Sequence, residues 1–169
     1  IEYLGDIHLQ YSFPYNGENY TVYVDVALDE YADSIYSTSV PGSVRHSSDV
    51  ASGARFIVVG DAVSSLSQRL LDAYTARNPS APTDGPEYVN YILSFVQNCF
   101  KVGSDTYYHS TSTYWAFPAE TLYTAVGDSG DLAVLTASLL IASGYDAGIA
   151  TVNGHAFATV SLDRYTGPT

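Results

Sequence analysis

Residues 127–162 read GDSGDLAVLTASLLIASGYDAGIATVNGHAFATVSL, and this stretch decides the fold. Asp128 is a favourable N-cap. Asp131, three residues on, places a carboxylate in the first turn, where the positive helix end favours it. Leu132, Val134, Leu135, Leu139, Leu140 and Ile141 are apolar on nearly all sides, so the helix is expected to be central rather than superficial. Gly144 is a stop signal. Tyr145 to Val152 reads as a strand, Asn153-Gly154 as a tight hairpin turn, and His155 as the opening of the return strand. The expected result is Ser129 at the N-terminus of a buried helix, facing a strand that carries His155. A helix-start nucleophile beside a strand-borne His is the layout of a thiol hydrolase or acyltransferase.

The chain around this stretch can be read in order. Ile7 to Phe13 and Tyr20 to Leu28 alternate apolar and polar residues across Asn16-Gly17, predicting a β-hairpin with one buried face. Leu28 to Tyr36 reads as a short helix before a loop. Arg55 to Val59 (RFIVV) reads as a short strand. Val63, Leu66, Leu70 and Tyr74 recur at helical spacing. Pro79, Pro82 and Gly85 mark a loop, and Pro86 suits the first turn of another helix. Tyr88, Ile92, Phe95, Val96 and Cys99 are expected on that helix's inward face. Residues 103–118 are expected to form a long aromatic loop, a length usual for functional lids or mobile segments. Thr121 to Ala125 leads into the central helix. Strands, then helices, then strands predict an α+β fold with an antiparallel sheet.

Composition bounds the function. At 169 residues and 46% hydrophobic content the chain is most simply one globular domain, with residues 1–60 its β-rich part and 61–169 carrying the site. No apolar run approaches the roughly 18 residues of a membrane span. The net charge of −12, with Lys101 the only lysine, argues against nucleic acid as a partner. Abundant Tyr, Ser, Thr and Asp with little Lys points to an extracellular or cell-surface protein. The chain starts at Ile1 rather than Met and reads as a fragment or processed form. Asn19-Tyr20-Thr21 would be a glycosylation sequon in an exported chain. Cys99 is the single cysteine, which leaves no disulfide framework and no zinc motif, and it reads as a core residue. Asp128 and Asp131 are too few for calcium and are better explained as capping groups. No metal or cofactor is expected.

The string PAETLYTAVGDSGDLAVLTASLLIASGYDAGIATVNGHAFATV (residues 118–160), with the upstream Phe95-Val96-Gln97, resembles the transglutaminase-like domain of the papain-like cysteine peptidase superfamily, in its bacterial and archaeal form. Members tend to carry P-x-E-T-L, then G-D-C-x-D opening a helix, then S-L-L…G-Y-D, then G-H-A on a strand. The resemblance implies a papain-like core, with one central helix packed on an antiparallel sheet. It implies acyl transfer or hydrolysis at a peptide or glutamine amide, with His155 as acid/base. The departure lies at the nucleophile, where Ser129 stands in place of the family's Cys. A helix terminus can bring a thiol from about 8.5 to near neutrality or below, but it cannot make a stable alkoxide. A site built for a thiolate–imidazolium pair is therefore expected to be inactive or crippled with serine, whether the change is natural or engineered.

The remaining site residues carry two readings each. In the family a third acidic residue orients the His. Asp163 is the only acidic residue after His155, although its spacing is short and Gly167-Pro168-Thr169 only faintly echoes the family's D-P-T. Trp115 is either a core residue, a lining for the acyl groove, or an indole N–H donor near the oxyanion. Gln97 is a candidate donor by analogy. The N–H groups at the helix start, Gly130 among them, are the sturdier oxyanion candidates. Glu120 reads as a buried acceptor fixing the loop before the site. The GDSGD string also resembles the nucleophile segment of chymotrypsin-like proteases, but a helical run follows it here and no His with suitable surroundings precedes it. Two further functions stay open: a non-catalytic module that holds a peptide or protein in the old groove, and an active serine hydrolase using Ser129 and His155.

Overall fold

A computed structural model describes residues 5–103, 113–164, 166 and 167. Strands β1 (Ile7–Tyr15) and β2 (Glu18–Val26) form an antiparallel hairpin. Its turn residues Asn16 and Gly17 both take positive φ, 48° and 76°, the conformation whose twist matches paired strands. The register sets Phe13 against Tyr20 and Tyr11 against Val22. Alternation then puts Tyr11, Phe13, Tyr20, Val22, Val24 and Val26 on one buried face.

Three short helices follow: α1 (Leu28–Ile35), α2 (Gly42–Arg45) and α3 (Val50–Ala54). Two longer ones, α4 (Asp61–Arg77) and α5 (Pro86–Cys99), lie across the inner face of the hairpin. Their inward residues are those the helical spacing selects: Val63, Leu66, Leu70 and Tyr74, then Tyr88, Ile92, Phe95 and Val96. The Tyr91 hydroxyl donates to the Leu70 carbonyl at 2.8 Å and ties the two helices together. Strand β3 (Lys101–Val102) pairs in parallel with β4 (Val126–Gly127), and α6 (Pro118–Thr124) lies shortly before β4.

The central helix, α7, runs Ser129–Ala142, and 11 of its 14 residues are buried. Asp128 and Asp131 form a reciprocal capping box at its start. At its end Tyr145 N–H bonds to the Leu140 carbonyl and Gly144 N–H to the Ile141 carbonyl, with Gly144 at φ 101°. This is the double bond pattern of a left-handed glycine stop. One side of α7 meets α4 and α5. The other carries the antiparallel hairpin of β5 (Asp146–Val152) and β6 (His155–Ser161), closed by Asn153-Gly154 at positive φ. A single 3₁₀ turn, Leu162–Arg164, follows. Full burial of Leu135, Leu139 and Leu140 contributes about 1.5–3 kcal/mol each.

The fold is α+β, and its described strands fall into three two-stranded sheets. The main core joins the first hairpin to α4, α5 and α7. A second, smaller core gathers Val40, Phe56, Trp115, Phe117 and Val134. Two sequence expectations need correction. Residues 55–59 form no strand. Phe56 and Ile57 bond back to Gly53 and Ala54 in helix-like turns, Phe56 plugs the second core, and Val58 and Val59 are exposed and pair with no strand among the described residues. The described β structure of the first 60 residues therefore ends at Val26. The segment before the central helix is also not a plain lead-in: residues 118–124 are helical, and Ala125 turns the chain at φ 57°. Of the long aromatic loop, residues 104–112 lie outside the described residues.

Candidate functional site

A cavity of about 230 Å³ opens at the N-terminus of α7. Helix start, hairpin and two loops meet there: Asp128, Ser129 and Gly130 from the helix, Thr151, Gly154 and Ala156 from the hairpin, Ser48 from the loop before α3, and residues 113–115. Ser129 is half-buried at the first helical position. Its Oγ accepts a hydrogen bond from the backbone N–H of Ala156 at 3.4 Å, which is long for such a bond.

His155 is exposed, and its ring does not line this cavity although Gly154 and Ala156 on either side of it do. The strand period explains the placement. Successive side chains leave opposite faces, so Ala156, Ala158 and Val160 turn toward α7. His155 and Phe157 turn away, with His155 opposite the exposed Val152. The ring that the sequence set opposite Ser129 is thus exposed and outside the residues that line the cavity. The other candidates separate similarly. Asp163 is exposed in the 3₁₀ turn, and Gln97 is exposed on α5; neither lines the cavity. Ser129, Gly130 and Trp115 do come together.

Trp115 is buried, and its indole N–H donates to the Ser47 carbonyl at 2.6 Å. That proton is committed to structure, so the indole is not an oxyanion donor here. Its ring is the cavity floor. Gly130 lies so close over it that a Cβ there would come within 2.7 Å of the ring, and a Cβ on Gly53 would overlap the ring from the α3 side. These two glycines are needed for close approach.

Beside Trp115 lies a buried ion pair that the sequence reading missed. Arg45 Nη1 contacts both carboxylate oxygens of Glu120, at 2.9 and 3.0 Å, with both residues over nine-tenths buried. The same guanidinium donates to the Ser34 carbonyl at 2.7 Å, to the Trp115 carbonyl at 3.3 Å and to the Tyr114 hydroxyl. Glu120 also accepts the Phe117 N–H at 2.7 Å and the Tyr114 hydroxyl at 2.5 Å. Burial and the neighbouring carboxylate push the Tyr114 phenol well above its usual range, so it stays a donor. Asp131, also buried, accepts the Ala116 N–H at 2.9 Å in addition to its capping bond. The 113–117 segment is thus held by two carboxylates, one on α6 and one on α7. Glu120 takes the loop-fixing role expected of it. Arg45 gave no local signal, since its partner lies 75 residues away.

Cys99 is half-buried on α5, and burial pushes its thiol up to about 12. Among the described residues no group of three or more His, Cys, Asp or Glu is placed to hold a metal ion. No described helix is long and apolar enough to cross a membrane. Comparison of the chain with family models, with characterised proteins and with solved structures finds no match.

Proposed function

We propose that this chain is a transglutaminase-like domain with a papain-like core that performs no acyl transfer in its present form and serves as a non-catalytic module holding a peptide or protein segment at the cavity beside Ser129. The family reading is supported by the P-A-E-T-L, G-D-S-G-D and G-H-A strings and by their order along helix and hairpin. The loss of chemistry is supported by one observation above all. Ser129 Oγ accepts the Ala156 N–H, while His155 is exposed and does not line the cavity. A serine hydroxyl needs a base within about 2.6–3.2 Å to become a nucleophile, and among the described residues no imidazole lines this cavity. What remains is a hydroxyl-rich recess of Ser48, Thr113, Ser129 and Thr151 over an indole floor, which suits one side chain of an extended peptide.

A fluorophosphonate probe tests the chemistry. The expected outcome is no labelling of Ser129. Labelling that His155→Ala abolishes would overturn the reading in favour of a serine hydrolase. In Ser129→Cys, alkylation of the new thiol without turnover of peptide amides is expected, since the helix terminus favours a thiolate but among the described residues no imidazole lines the cavity to shuttle the proton. A synthetic decapeptide array tests the binding. Retention of a subset of sequences, lost in Thr151→Arg, is expected; retention unchanged by Thr151→Arg would sink the assignment of the cavity.

A further inference from the structure

Residues 37–58, which carry α2 and α3, contribute nothing to the main core. Of their apolar side chains, Val40 and Phe56, with Val44 and Ile57 beside them, pack in the second core, on Trp115, Phe117 and Val134. Helices of four and five residues do not hold themselves together, so this segment keeps its shape by what it is docked on. Most of its polar bonds outside itself end on residues 113–120. Trp115 N–H donates to the Arg45 carbonyl at 2.9 Å and Trp115 Nε1 to the Ser47 carbonyl at 2.6 Å. His46 Nδ1 lies 2.8 Å from the Thr113 carbonyl. The Arg45 guanidinium reaches Glu120, the Phe56 ring packs on Phe117 at 4.7 Å, and Gly53 lies flat on the Trp115 ring.

We propose that residues 37–58 form a lid over the Trp115 floor, latched by the Arg45–Glu120 pair, which opens as a unit while the main core stays folded. The physical basis is the division of the apolar contacts. Opening sacrifices the second core and leaves the first intact, which is the condition for a sub-global unfolding unit. The latch is matched to that task. Two buried charges are well satisfied in the closed state and well hydrated in the open one, and neither tolerates a half-open geometry. The consequence concerns access. The closed cavity, about 230 Å³, is smaller than the roughly 300–1,000 Å³ of ordinary ligand pockets. Opening would add the upper face of the indole to it. The lid depends on this packing alone and stands whether or not the cavity holds a peptide.

Trp115 is the only tryptophan in the chain, so its fluorescence reads the lid without interference. Acrylamide quenching of Trp115 and far-UV circular dichroism are followed together through a urea titration. The expected result is a quenching transition at lower urea than the loss of dichroism. Arg45→Lys, which keeps the charge but loses the planar fork, should move the quenching midpoint to still lower urea and leave the dichroism midpoint in place. Gly53→Ala, which puts a methyl against the indole and leaves the ion pair untouched, serves as a second variant should Arg45→Lys fail to fold, and should act in the same direction. Coincident transitions in the unaltered protein, or equal shifts of both midpoints in the variant, would overturn the lid.

Discussion

The backbone N–H of Ala156 donates to the hydroxyl of Ser129 across 3.4 Å, and the residue before it, His155, is exposed on the strand face opposite the Ala156 side chain. One residue of register separates an imidazole at the cavity from an imidazole in water, because a strand alternates strictly. Two expectations follow for stability. Ser129→Ala removes one long hydrogen bond and should cost about 1 kcal/mol or less in urea denaturation. His155→Ala is a surface change and should stay within about 0.5 kcal/mol. A much larger loss for His155→Ala would mean that the ring is packed inside.

The two carboxylates of the capping box are unequal. Asp128 caps the helix from a half-buried position, so Asp128→Ala should cost about 1 kcal/mol. Asp131 is 2% exposed and also accepts the buried Ala116 N–H. Asp131→Ala therefore strips a partner from a buried donor as well as from the cap, at about 2–4 kcal/mol. Chemical denaturation of both variants checks the order, and equal losses would contradict it.

Gly144 and Gly154 both take positive φ, 101° and 78°. A Cβ at Gly154 would meet open space, whereas one at Gly144 would collide with the Gly167 backbone. Gly154→Ala should lose only the left-handed backbone preference, about 1–2 kcal/mol, or roughly 2–8 °C in Tm for a chain of this size. Gly144→Ala should lose distinctly more, and calorimetry on the pair distinguishes them.

A groove between the first hairpin, α1 and α4 is ringed by Asp6, Asp25, Asp29, Glu30, Asp33 and Asp61, with His8 paired to Asp25 at 2.7 Å. With a net charge of −12, self-repulsion opposes compactness and salt screens it. The Tm should rise between low salt and about 1 M NaCl, where the Debye length falls to roughly 3 Å. A flat or falling Tm would remove the repulsion argument.

Burial pushes the Cys99 thiol up to about 12. At pH 8 the native thiol should react with a disulfide reagent much more slowly than the thiol of the unfolded chain, whose pKa is near 8.5, by about two orders of magnitude once the higher nucleophilicity of a high-pKa thiolate is counted. The sign is fixed by linkage. Folding holds the proton on Cys99, so this group's contribution to stability is complete below about 8.5 and is lost as pH rises toward about 12. Equal rates before and after urea would show that the thiol is not shielded.

Local chemistry was legible in the sequence wherever the cause lies within a few residues. The capping box at Asp128 and Asp131, the stop at Gly144, the Asn-Gly turns and the inward faces of the helices all follow from spacing. The apolar RFIVV segment misled because β propensity needs a partner strand, and here Phe56 instead found Phe117. What only the tertiary structure decided is which side chains meet. Arg45 and Glu120 are 75 residues apart, the Trp115 proton goes to Ser47 from 68 residues away, and His155 is exposed outside the cavity that Ser129 lines. Short-range geometry is set by backbone sterics and the amide periods of helix and strand. Long-range pairing is set by how whole elements pack, and no local spacing encodes that.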